Sequence, residues 1–90
     1  MQNMFYKSFK MNVSDDFNKA ALDLMGELEA IVTYDEHAKS ANTQSAKTTW
    51  QSIKNEEETH AGELLALLFT LDPNFKENVE KGMKEFEERK

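Results

Sequence analysis

The sequence predicts an all-α protein: a long antiparallel two-helix hairpin followed by a short third helix. Three observations carry this reading. Glycine and proline, the residues that break helices, number only 3 and 1 in 90 residues, and the stretches between them are rich in helix formers. Apolar residues in both long stretches recur at alternating spacings of three and four, the period of one helix face. Start and stop signals punctuate the chain where that pattern lapses.

The elements follow in order. Residues 1–13 carry Met4, Phe5, Tyr6, Phe9 and Met11 without clear periodicity, and read as an N-terminal arm. Residues 14–90 form the single helical domain. Ser14 or Asp15 is the expected N-cap of a first helix over about 15–40, with acidic residues suiting the first turn. The polar segment SANTQSA, Ser40 to Ala46, makes a short turn into a second helix over about 44–70. Asp72 followed by Pro73 is a cap with proline at the first helical position. It opens a third helix over about 73–88, with Phe75, Val79, Met83 and Phe86 on one face.

Charge and composition narrow the function. Asp and Glu outnumber Lys and Arg by 17 to 11, a net charge of −6, so a cation suits this chain better than nucleic acid, which needs a basic face. From Pro73 onward acids and bases balance, so the acidic excess lies in the first two helices. The absence of cysteine excludes thiolate metal clusters, disulfides and a cysteine nucleophile. No apolar run is long enough to span a bilayer, and the N-terminus lacks the apolar stretch of a signal peptide. A soluble cytoplasmic protein without a membrane or nucleic-acid partner is expected.

The chemistry sits where the helix seams are interrupted. In the second helix one seam is Ala46, Trp50, Ile53, Glu57, His60, Leu64, Leu67 (or Leu68) and Leu71. The matching seam of the first helix is Ala20, Leu24, Glu27, Ile31, Tyr34, Ala38 and Ala41. Glu27 and Glu57 are nearly equidistant from the turn, so an antiparallel hairpin brings them to similar heights. Burying carboxylates costs several kcal/mol per ion unless something compensates, and a metal ion would. Carboxylate oxygen with imidazole nitrogen suits iron, manganese, cobalt or zinc. Glu57 and His60, three residues apart, lie on one helix face and can reach a single ion.

The ligand count then argues for two chains. A di-iron carboxylate site in a four-helix bundle takes a Glu from each of two helices and Glu-x-x-His from each of two others. This chain holds half of that set, so a homodimer would complete both the bundle and a metal site at its interface. Iron(II) with O2 is the redox-active filling; zinc, manganese or calcium are possible substitutes. Glu56, Glu58 and Glu63 fall toward solvent, and His37 reads as an ordinary exposed histidine. Glu29 offers a second, weaker cation position. Tyr34 packs in the core or bonds a ligand carboxylate. The competing reading is a non-enzymatic helical homodimer, an adaptor or metal buffer whose polar seam residues only fix register.

The segments MGELEAIVTYDEHAKS (residues 25–40) and NEEETHAGELL (residues 55–65) resemble the encapsulated ferritins. They match the Met-x-Glu-Leu-Glu-Ala…Tyr-Asp and Glu-Glu-x-x-His-Ala motifs of that family in register, over about residues 20–75. The resemblance implies that Glu27, Glu57 and His60 are ferroxidase ligands of a di-iron centre. It also implies a ferritin-like four-helix bundle rebuilt by two chains, a decameric ring, and iron storage inside an encapsulin nanocompartment whose shell protein is a partner. There are two departures: Gly26 stands where the family often has an acid that contributes to a metal entry site, with Glu29 still present, and Thr33 replaces an aromatic that often precedes the tyrosine. No apolar tail of the shell-docking kind precedes Lys90.

Overall fold

A computed structural model describes residues 15–90, which are helical almost throughout. The N-terminal arm expected over residues 1–13, and Ser14, lie outside the described residues. Three helices follow one another: α1 (Asp16–Lys39), α2 (Gln44–Leu71) and α3 (Pro73–Arg89). Each boundary falls within a residue or so of its expected place. Among the described residues, no helix is long and apolar enough to cross a membrane.

Local chemistry explains each end. Asp15 is extended, and its Oδ1 accepts the Asn18 backbone N–H at 2.8 Å, filling one of the orphan donors of the first turn of α1. At the other end the Ser40 backbone N–H donates to the Glu36 carbonyl at 3.1 Å. Three residues later the Thr43 hydroxyl accepts from the Ala46 N–H at 3.2 Å and starts α2. The turn is thus only residues 40–43, too short for anything but an antiparallel return. Asp72 ends one helix and begins the next. Its N–H donates to the Leu68 carbonyl at 3.0 Å, and its Oδ1 accepts from the N–H groups of Asn74 and Phe75, both at 3.1 Å. Pro73 occupies the first position of α3, where its missing donor costs nothing.

Packing inside one chain is thin. Among the described residues the buried ones are Ala20, Leu22, Ala38 and Leu68. The structure resolves the Leu67-or-Leu68 choice in favour of Leu68, which is 2% exposed while Leu67 is 44% exposed. Leu22 lies off the expected seam yet is buried. At the open end of the hairpin, Phe75 of α3 sets its ring edge-on to Phe17 at 5.2 Å and tilts against Phe69 at 6.0 Å. That aromatic cluster, with Asp72, fastens α3 to the hairpin. Beyond it α3 stands clear, and Met83 and Phe86 of its apolar face are exposed. Leu28, Val32 and Leu71 of the hairpin are exposed as well. Each buried leucine is worth about 1.5–3 kcal/mol relative to exposure, so two leucines and two alanines make a slender core among the described residues.

Candidate metal centre

The middle of the hairpin brings three titratable side chains together. Glu27 projects from α1, and Glu57 and His60 from consecutive turns of α2. One potential ligand atom from each lies within 4.8 Å of the other two. His60 Nδ1 is 3.5 Å from Glu27 Oε2 and 3.9 Å from Glu57 Oε2. These distances are long for hydrogen bonds but suit ligands gathered around a common centre. The Glu27 and Glu57 side chains are largely covered, at 23% and 20% exposed, whereas His60 is 49% exposed on the open edge of the hairpin. The seam pattern places His60 inward; in the single chain its ring leans in from the rim.

Electrostatically the cluster is unsatisfied. Glu27 Oε2 is buried without a hydrogen-bond partner. The neighbouring Glu57 carboxyl, then burial, then the charge of Glu57 push the Glu27 carboxyl above its ordinary range, and His60 opposes them. The two carboxylates can bond each other only by holding a proton between them; with both ionised, the buried oxygen has only the His60 imidazole, 3.5 Å away, to face. A cation would remove that cost more completely than a proton, because it satisfies both carboxylates and the imidazole at once. The donor set, two carboxylates and a histidine, fits iron, manganese, zinc or cobalt.

The remaining predicted positions lie apart from this cluster. Glu29 is exposed, and its backbone carbonyl accepts the Thr33 hydroxyl at 3.0 Å. Tyr34 is half-buried with its ring centroid 6.1 Å from that of His37, and it makes no hydrogen bond to Glu27. His37 is exposed, but its ring stands edge-on to Trp50 at 5.1 Å, a cross-helix contact that the pattern of either helix alone does not reveal. Glu56, Glu58 and Glu63 are exposed, as their seam positions require.

Nearer the turn, a second polar group has the opposite character. Asp35 takes Lys39 Nζ at 2.8 Å along its own helix and Lys54 Nζ at 3.6 Å across the hairpin. The Lys39 contact first, with Lys54 behind it, holds the Asp35 carboxyl below its ordinary range, and Asp35 in turn raises the Lys39 ammonium. Asp35 is the Asp of the Tyr-Asp motif, but its place at the margin of the seam gave no sign of the bridge to Lys54.

Comparison with known proteins adds one relative. The chain is 31% identical, over 67 residues and 74% of its length, to a ferritin-like–encapsulin shell fusion protein of Pyrococcus furiosus. It spans about a fifth (19%) of that relative's length. No protein-family model matches the chain. No solved structure matches it.

Proposed function

We propose that two copies of this chain join through the open faces of their hairpins to form a ferritin-like four-helix bundle. Fe(II) is then oxidised to Fe(III) by O2 at a di-iron centre between them. The observation that carries this reading is the convergence of Glu27, Glu57 and His60 within 4.8 Å, with a buried Glu27 oxygen that has no hydrogen-bond partner among the described residues. A twofold axis beside His60 would double the set to four carboxylates and two imidazoles, the complement of a di-iron carboxylate site. The exposed Leu67 and Leu71 on the same side of α2 support a partner there. The likeness to a protein described as a ferritin-like–encapsulin shell fusion supports iron as the metal and an encapsulin shell as the surroundings.

In this reading iron is substrate. The carboxylates of Glu27 and Glu57 from both chains would hold two Fe(II), and each His60 would bind one of them. The pair gives up two electrons to O2, which with two protons leaves as hydrogen peroxide, and the ferric product passes on for storage. The side chains supply binding, orientation and charge balance, with no separate nucleophile or general base. Aerobic addition of Fe(II) with absorbance detection of Fe(III) tests the assignment. Glu57→Ala and His60→Ala should oxidise iron far more slowly than the unaltered chain; oxidation at the unaltered rate would refute the site.

A further inference from the structure

The turn end of the hairpin carries a concentration of positive charge that the iron chemistry does not use. Between residues 15 and 71 the only cations besides the two histidines are Lys19, Lys39, Lys47 and Lys54, greatly outnumbered by carboxylates. Three of these four lysines line one groove of about 490 Å³ between α1 and α2, with Asp35, Gln51 and Asn55. Lys47, Gln51, Lys54 and Asn55 share one face of α2 by their spacing. Lys54 and His60 are six residues apart, about 120° around the helix, yet each reaches across to α1. The groove therefore lies on the opposite flank of the seam from His60.

Its charges are set for an anion. Asp35 anchors Lys39 and Lys54 within the groove, while Glu36 acts on Lys39 and Glu58 on Lys54 from outside its lining, so the charge left unpaired is that of Lys47. Glu58 approaches Lys54 at 3.8 Å and is half exposed, so water screens that pair. Lys47 makes no ion pair among the described residues, and the side-chain amides of Gln51 and Asn55 have no protein partner there. The N-terminus of α2 adds positive potential and the C-terminus of α1 subtracts it, so these dipoles nearly cancel and the lysines decide the sign.

We propose that this groove binds a small, multiply charged oxyanion of the phosphate class. Lys47 and Lys54 supply charge, and Gln51 and Asn55 supply neutral donors. Mobile lysine ammonium groups suit a compact tetrahedral anion, which accepts donors from any direction.

Calorimetric titration of the full-length, chelator-treated protein with inorganic phosphate tests this independently of any iron chemistry. One phosphate per chain should bind saturably, more weakly as sodium chloride rises from about 20 to about 200 mM. Lys47→Gln with Lys54→Gln should weaken it about tenfold, while Lys81→Gln on α3 leaves it unchanged. Circular dichroism checks that helicity is retained, and Lys47→Gln alone, at an exposed position early in α2, should still weaken binding measurably. Equal affinity in the lysine variants, or no saturation with the unaltered protein, would overturn the proposal. So would lysine-dependent capture of a glutamate-rich peptide without phosphate binding, which would make the groove a protein-docking surface.

Discussion

Two carboxylates on the same helix, Glu27 and Asp35, sit two turns apart in opposite circumstances. Asp35 is satisfied within its own chain: two lysines reach it, and its carboxyl titrates below the ordinary range. Glu27 is not: its neighbours are another carboxyl and an imidazole, it titrates above the ordinary range, and one of its oxygens is stranded. The difference separates a finished structural contact from an unfinished one. A group left in deficit by its own chain marks where something else is to bind.

The largest effect should come from removing a ligand at the unfinished end. Glu57→Ala should slow Fe(II) oxidation by about 10–100-fold, the usual scale for disturbing a metal site, as read from initial rates in air. If the slowed rate is absent, Glu27 and Asp35 differ only structurally. Assembly is the next measure. Light scattering or native mass spectrometry should show Fe(II) shifting the unaltered chain toward dimers or larger species, and His60→Ala should need about tenfold more metal for the same shift. A monomer that holds iron equally well would separate the metal site from the proposed interface.

A third experiment reads the deficit as stability. Because the folded-state pKa of Glu27 is raised, the folded chain holds its proton more tightly than the unfolded chain does. Metal-free stability is therefore favoured at low pH and declines as pH rises from the ordinary glutamate value of 4.5 through the folded pKa. Glu27→Gln should flatten that decline and raise the metal-free melting temperature at pH 7 by about 2–4 °C, since its amide can donate to Glu57. A lower melting temperature would show that Glu27 is not a burden to the empty site. The smallest effect belongs to the finished contact. The folded pKa of Asp35 is lowered, so its contribution is present above the ordinary aspartate value of 3.8 and fades as pH falls through the folded pKa. Asp35→Asn should lower the melting temperature only slightly at pH 7, with the difference vanishing in acid and in high salt.

Much of this contrast was legible in the sequence. Helix ends were readable because Asp15 and Asp72 are capping residues and the polar run from Ser40 to Ala46 breaks the apolar pattern between them. Glu27, Glu57 and His60 were readable because charge on an apolar seam is conspicuous. What stayed hidden depends on two helices at once. The Lys54–Asp35 bridge joins residues that look like ordinary solvent-facing positions until the hairpin closes, and His37 looks like one until it meets Trp50 of the opposite seam. The choice of Leu68 over Leu67 was likewise undecided, since the two flank the same seam and only the crossing geometry selects between them. Phe17, beside the first cap, gave no hint that it would meet Phe75 of α3, because their contact spans the whole hairpin.

The four residues of the turn, 40–43, have a consequence well beyond their own length. They act as the fixed jaw of a gauge whose two arms carry Glu27 and Glu57. Glu27 and Glu57 meet because each arm is a definite number of helical steps from that jaw, with Ser40 and Thr43 locking its ends. Lengthening either arm by one residue would swing its glutamate by about 100° and carry it off by about 1.5 Å, and no side-chain rotamer restores both. Chains of this design should thus accept many substitutions along the arms but very few insertions or deletions between residues 27 and 57.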